Sequence, residues 1–341
     1  MKEVPVEKSV GMVLSHDITE IIKDKFKGPR FKKGHIIKEE DIPILKKIGK
    51  KNIYIFELEE GMIHEDQAAE YLRDMCMGEN MYAKGPSEGK FDVFSEPDGL
   101  LKVDIERLLK INIDPQMMVA SRHNNMPVKK DDKIFGTRII PLVIEQEKME
   151  SKKAEIGKEP IFNILPFIHQ KVGLITTGSE IFSGLIKDTF SPVVKEKVKK
   201  YNLEVTEHVL VSDDSDDIER EIKKMLDKDV DIIILTGGMS VDPDDKTPKA
   251  ITNVSKNLVT YGAPVLPGAM FCLGYSDEGK PIMGLPGCVM YERSTIFDLI
   301  LPRIAAKDLV KAEEIARLGH GGLCLQCRTC TYPECSFGKG V

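Results

Sequence analysis

The sequence predicts an α/β protein whose second half is a three-layer domain built on a mostly parallel sheet, preceded by an α+β region and a small β-rich unit. Three observations carry that prediction. After Lys171 the chain repeats strand, glycine-bearing loop and helix, the alternation that produces a parallel sheet covered on both faces. Val230 to Leu235 holds an Ile-Ile-Ile run, as a strand buried on both sides requires. Between Phe91 and Ile144, short apolar stretches are separated by turn residues such as Pro97-Asp98-Gly99 and Asn124-Asn125, which reads as a β-rich unit.

Taken from the N-terminus, Glu39 to Ile48 places Ile42, Leu45 and Ile48 at helical spacing and stops at Gly49, where a left-handed C-cap fits. A strand at Ile53 to Phe56 and a helix at His64 to Met75 follow. The run Gly85-Pro86-Ser87-Glu88-Gly89 follows no strand and opens no helix, so it reads as a surface loop rather than a phosphate loop. The β-rich strands fall at Phe91 to Ser95, Leu100 to Val103, Met117 to Arg122 and Ile134 to Ile144. Glu145 to Pro160 is charged and weakly helical, the character of a linker. Beyond it, strands are expected at Lys171 to Thr176, Glu204 to Val211, Val230 to Leu235 and Pro281 to Leu285. Helices are expected at Asp188 to Tyr201, Ser215 to Lys228, about Thr247 to Lys256 and about Val289 to Ile304. The resulting organisation is an α+β region over 1–84, a β-rich unit over 85–145, a linker over 146–165, the three-layer domain over 166–310 and a cysteine-rich tail over 311–341.

Composition excludes several classes of partner. The 341 residues include 49 basic and 55 acidic side chains, a net charge of −6, and no stretch interleaves Lys and Arg with aromatics, so a nucleic-acid footprint is absent. Met1 to Val13 has no apolar leader core, and no segment approaches the roughly 18 apolar residues of a membrane span. A cytoplasmic protein without membrane attachment is the expectation.

Ligands of open α/β sheets bind outside the carboxyl ends of the strands, and three loops with matching chemistry fall at that edge. They are Thr176-Thr177-Gly178-Ser179-Glu180, Thr236-Gly237-Gly238-Met239-Ser240 and Leu285-Pro286-Gly287-Cys288. Glycines let a backbone approach an anion, hydroxyls donate to phosphate oxygens, and helix N-termini favour negative charge. The same edge carries Glu180, Asp188, Asp213, Asp214, Asp242, Asp244 and Asp245. Acids around a phosphate ligand make chemical sense with Mg²⁺ between them, because a hard cation takes oxygen ligands from both sides. Asp214 reads as a helix cap; Asp213 and Asp245 end separate loops and are candidates for one shared ion.

The motifs T-T-G-S-E-I, I-K-D, V-S-D-D, T-G-G-M-S-V-D-P-D-D-K-T-P and G-L-P-G, in that order over about Lys171 to Ala305, resemble the molybdopterin-binding domain shared by molybdopterin adenylyltransferases and molybdopterin molybdenumtransferases. Val4 to Thr19 and Phe31 to Ile37 look, more loosely, like the start of the molybdenumtransferase type, which suggests a shortened relative. The resemblance implies a reaction centre at Asp213 and Asp245, an acid of the first loop at Glu180, and a pterin-phosphate pocket shaped by Thr177, Gly178, Ser179, Gly237, Gly238, Ser240, Pro286 and Gly287. It further implies molybdopterin and molybdate as ligands and self-association into a homo-oligomer. Three positions depart from the family pattern. Asp242 stands for the usual glycine, Cys288 for a polar residue, and Leu266-Pro267-Gly268-Ala269-Met270 for K-P-G-K-P, which removes two lysines able to hold an oxyanion.

Two of the isolated cysteines have plain readings. Cys272, between Phe271 and Leu273, reads as core. Cys288 sits where a helix N-terminus would activate a thiol, but reads first as a small buried hydrophobe. The tail is different: Cys324, Cys327, Cys330 and Cys335 follow one another at x2, x2 and x4 spacing. Zinc fingers and ribbons interpose longer stretches between ligand pairs, so the closeness tilts toward an iron–sulfur cluster; the run differs from the ferredoxin pattern, which leaves zinc open, and a metal-free mobile tail is the plain alternative. The function implied is binding of molybdopterin or its adenylylated form in molybdenum cofactor biosynthesis, as a Mg²⁺-using molybdenumtransferase-like transferase. The alternative is a non-catalytic cofactor carrier or chaperone, or a redox sensor, that docks on a recipient molybdoenzyme.

Overall fold

The chain builds two units that interleave along the sequence. A computed structural model describes every residue except 1, 23–25, 57–59, 180–184, 186, 244 and 341. The first unit comprises Met1–Phe94, Asp104–Arg122 and Lys133–Asn163, and the second Ser95–Val103, His123–Asp132 and Ile164–Val341. Among the described residues, no helix is long and apolar enough to cross a membrane.

In the first unit, strand Lys2–Pro5 pairs antiparallel with Asn52–Ile55. Val4, Ile53 and Ile55 turn inward from that pair onto Leu14, Phe31, Ile37 and Leu45. The helix Asp41–Lys47 ends ahead of Gly49, whose φ of +82° supplies the expected left-handed cap. A four-stranded sheet runs in the order Met81–Ser87, Lys90–Ser95, Lys133–Ile139, Met117–Ser121. The Gly85–Gly89 run is therefore not a free surface loop. It continues a strand into a hairpin turn at Glu88 and Gly89, whose φ values of +51° and +69° suit a primed turn. One helix has no counterpart in the sequence expectation, and the weakly helical stretch forms a regular one. Ile105–Asn112 starts on Asp104, whose carboxylate accepts from the Arg107 N–H at 3.0 Å, and the charged stretch expected as a linker forms Gln146–Ile156, which buries Met149 and Ile156.

The second unit carries the three-layer domain, whose elements are labelled here within that domain. Its sheet comprises β1 (Gln170–Thr177), β2 (Leu203–Val211), β3 (Ile232–Thr236), β4 (Asn257–Tyr261), β5 (Cys272–Tyr275) and β6 (Pro281–Leu285), in the order β2-β1-β3-β6-β5-β4. Neighbours from β2 through β6 are parallel, while β5, next to the edge, runs antiparallel to both β6 and β4. All of β3 is buried, as a central parallel strand must be, whereas edge strand β2 alternates exposed with partly buried residues.

Because successive side chains of a strand point to opposite faces, the apolar runs feed two cores. Val172, Leu174, Ile232 and Ile234 pack with Val194 and Val198 of α1 (Phe190–Lys199) and with Phe297, Ile300 and Leu301 of α4 (Ile296–Ala305). Ile175, Ile233 and Leu235 pack on the other face with Ile218, Ile222 and Met225 of α2 (Ser215–Leu226) and Ala250 and Ile251 of α3 (Thr247–Val254). The helix expected from Val289 begins only at Ile296. Gly287–Met290 forms a short 3-10 turn instead, and the helix is set by Thr295, which forms a capping box with Asp298.

The cysteine tail is folded onto this unit. Leu323 bridges Leu266 in parallel, with the Leu266 N–H donating to Gly322 O and the Cys324 N–H to Leu266 O, both at 2.8 Å. The Tyr332 hydroxyl donates to Asp298 O at 2.7 Å, and Phe337 is buried in the core on the α4 side.

Candidate functional site

The first loop leaves β1 through two buried threonines, Thr176 and Thr177, and turns at Gly178, whose φ is +138°. Ser179 then reaches across to the loop after β2. Its N–H and hydroxyl both donate to Asp213 Oδ2, at 2.7 and 2.9 Å. Asp213 thus ties two loops of the sheet edge together. Asp214 behaves as a cap, accepting from the Asp216 and Asp217 N–H groups at the start of α2. Glu180 and Asp244 lie outside the described residues.

The second loop meets the first at close range. Gly237 and Gly238 adopt φ of +89° and +58°, and a Cβ on Gly237 would stand 2.3 Å from the Thr177 carbonyl oxygen. Thr247, buried at the start of α3, donates to Gly237 O at 2.9 Å and lies 3.4 Å from the Thr177 hydroxyl. Thr177, Gly237, Gly238 and Thr247 therefore form one packed corner. Asp245 holds the far side of this loop, its Oδ2 accepting from the Ser240 N–H at 2.9 Å, and the Tyr261 hydroxyl donates to Ser240 O at 3.4 Å. The predicted acids Asp213 and Asp245 are each fixed by a backbone N–H of a ligand loop.

Pro286 and Gly287 open the third loop. A Cβ on Gly287 would meet nothing within 4 Å, so this backbone faces open space that a ligand can enter. Cys288 next to it is partly exposed, and burial raises its thiol above the ordinary value. With a 3-10 turn in place of an α-helix N-terminus, the activated-thiol reading of Cys288 loses its physical basis. Cys76 and Cys272 are buried, and burial pushes both thiols up to about 12, the inert state of core cysteines.

A polar network beneath the first two loops escaped sequence reasoning. Asp188 accepts from the Phe190 and Ser191 N–H groups at 2.9 and 3.1 Å and from the Ser191 hydroxyl. His208 Nε2 lies 3.0 Å from Ser191 Oγ and 3.1 Å from Thr176 Oγ1, and Thr236 donates to Thr176 at 3.3 Å. The hydroxyl of Ser191 stands between the acid and the imidazole. This is not the acid–imidazole–hydroxyl order of a nucleophilic triad, and it reads as support for the ends of β1 and β3. Burial alone would raise the Asp188 carboxyl, but the hydrogen bonds from Ser191 and Phe190 and the nearby His208 hold it below its ordinary value.

The same network makes a prediction about pH. Burial, with a smaller contribution from Lys195, lowers the His208 pKa, and burial likewise lowers those of His16 and His64. The unfolded chain then binds more protons than the folded one below about pH 6.5, so stability rises with pH through that window. The stabilisation is complete above the unfolded value and is lost as pH falls through the folded one. Urea midpoints are expected to drop between about pH 7.5 and about pH 5.5, and His208→Gln to flatten part of that drop. A variant with an unaltered pH profile would contradict the assignment.

The tail cysteines gather around one feature. Cys324, Cys327, Cys330 and Cys335 all line a cavity of about 350 Å³ whose other wall includes Arg293 and Ser294. Ser294 Oγ lies 3.4 Å from Cys330 Sγ, and Arg293 donates to Arg328 O at 3.2 Å. The Ser294 hydrogen bond, with one from the Tyr332 backbone, lowers the Cys330 pKa. Elsewhere among the described residues, His64, Glu65 and Asp66 bring three potential metal ligands within 4.8 Å of one another. The Lys33 ammonium already sits among them, 2.5 Å from both His64 Nδ1 and Asp66 Oδ2.

Residues 173–306, which span the whole of this loop edge, match the family model described as a probable molybdopterin binding domain. Within the second half of the chain, the sequence is thus similar to that molybdopterin-binding family. Residues 3–57 match a second model, described only as a domain of unknown function (DUF8806). A molybdopterin molybdenumtransferase of Staphylococcus aureus is 30% identical over 123 residues, which cover 34% of this chain and 29% of that protein. A CinA-like protein of Mycobacterium marinum is 27% identical over 84 residues, 25% of this chain and 20% of that protein. The match thus spans less than a third of either curated relative. Among solved structures, a molybdopterin biosynthesis enzyme MoaB from Thermus thermophilus is 23% identical, with 40% of this chain and 91% of that one covered at a TM-score of 0.36. The matched residues include the three loops described above.

Proposed function

We propose that this chain binds molybdopterin or its adenylylated form during molybdenum cofactor assembly and acts there as a molybdenumtransferase-like transferase. The observation that supports the reading most is the packed corner of Thr177, Gly237, Gly238 and Thr247, which joins two glycine loops of the molybdopterin-binding domain beside the open backbone of Gly287. Glycine backbone and the hydroxyl of Ser240 would receive the phosphate, as such loops do elsewhere. Asp213 and Asp245 offer hard oxygen donors that fit Mg²⁺, and their backbone hydrogen bonds hold them in place for it. Mg²⁺, when bound, neutralises phosphate and molybdate charge; the chain's own part is to position the reactants and exclude competing geometry. The tail cysteines add thiolate ligands for a second centre. The loss of both lysines at Leu266–Met270 favours a second reading, a carrier that holds cofactor for a recipient molybdoenzyme.

One assay separates the two. Full-length protein purified without oxygen is mixed with adenylylated molybdopterin, Mg²⁺ and molybdate, and the product is scored by activation of a cofactor-free molybdoenzyme. Activation is expected, and Asp245→Asn is expected to lower it by about two orders of magnitude while pterin binding persists. Tight pterin binding without activation would make the chain a carrier. Absence of pterin binding would sink both readings.

A further inference from the structure

We infer that the four tail cysteines form a binding site for an iron–sulfur cluster rather than for zinc. The inference goes beyond the pterin reading and stands on the tail alone. Its first support is placement: Cys324, Cys327, Cys330 and Cys335 all line one cavity of about 350 Å³, room for a cluster rather than a single ion. The second is sulfur separation. Tetrahedral zinc with bonds of about 2.3 Å draws its thiolates to about 3.8 Å from one another. Among the described residues, no three of these sulfurs come within 4.8 Å. A four-iron cluster takes each thiolate at a different iron and keeps the sulfurs farther apart.

The third support is that the cavity is built, not incidental. One wall is Arg293 and Ser294, the segment that leads from the third ligand loop into α4, and Ser294 approaches Cys330 Sγ at 3.4 Å. Hydrogen bonds to cluster sulfurs and a nearby cation both stabilise the added negative charge of a thiolate-bound cluster. The strand bridge at Leu323 and the buried Phe337 anchor the two ends of the cysteine run. Cys324 and Cys335 are partly buried, while Cys327 and Cys330 are exposed. That leaves one side of the cluster open to electron exchange with a redox partner.

The test uses the full chain purified anaerobically, with iron, acid-labile sulfide and zinc measured per chain and the visible spectrum followed on addition of dithionite. About four irons and four sulfides per chain are expected, with a visible absorption that bleaches on reduction. Cys327→Ser, at an exposed position, is expected to lose most of the iron and still fold, as judged by its urea midpoint. Cys288→Ser, outside the cavity, is expected to keep the full complement. Stoichiometric zinc without sulfide would overturn the proposal. So would an absence of iron after reconstitution with ferrous iron and sulfide, or full iron retention in Cys327→Ser. None of these readouts depends on pterin binding.

Discussion

Replacing Gly237 by alanine is expected to cost about 2–5 kcal/mol of stability, the sum of overpacking and left-handed backbone strain, and to abolish pterin binding with it. The added methyl would sit 2.3 Å from the Thr177 carbonyl oxygen and 2.7 Å from its hydroxyl, on a residue with φ of +89°. A carbonyl at the end of a central parallel strand cannot retreat without pulling β1 out of register with β3. Gly287→Ala is the matched control. Its Cβ meets nothing, so stability should stay within about 0.5 kcal/mol while ligand approach is hindered. Urea midpoints and pterin titrations of both variants check the pair; equal midpoints for the two would refute the corner as the reason for the double glycine.

Lys197→Met is expected to destabilise the second unit by about 3–5 kcal/mol, the usual cost of leaving one partner of a buried ion pair unpaired. Lys197 is 7% exposed and Asp298 9%. The ammonium donates to both carboxylate oxygens at 2.6 and 2.8 Å, and to Arg293 O at 3.2 Å. Asp298 has a second task, accepting from the Thr295 N–H and hydroxyl to start α4. Adding Asp298→Asn to Lys197→Met should therefore recover part of the loss, because the amide keeps the cap without a buried charge. Denaturant titration of the single and double variants reads this directly. A single variant within 1 kcal/mol of the parent would mean that the pair is solvated in solution.

What the sequence disclosed, it disclosed through local chemistry. β3 is legible because three consecutive isoleucines and Leu235 lead through Thr236 to a double glycine, and Asp214 because an acid before a helical pattern caps it. The edge strands β4 and β5 were missed. Asn257–Tyr261 is only partly buried, so it lacks an apolar signature, and the prolines between the two strands read as loop. The start of α4 carried a usable signal in Thr295 and Asp298, at capping-box spacing, that the apolar run from Val289 obscured. Of the site, the glycine loops were visible one by one. The Asp188, Ser191 and His208 network was not, because the parallel register that sets His208 opposite Leu174 is a tertiary fact. The pairing of Lys197 with Asp298 is another such fact.

The interleaving of the two units has a practical side. Ser95–Val103 and His123–Asp132 belong with the molybdopterin-binding half. The strand Gly99–Val103 lies between Pro127–Val128 and Phe162–Pro166 in one sheet, and its Lys102 pairs with Asp308 at 2.9 Å. Asp308 also accepts from Arg303 of α4. A polypeptide trimmed to start near residue 166 would keep every ligand loop yet lose two segments of this unit and, with Lys102, one of the two cations on Asp308.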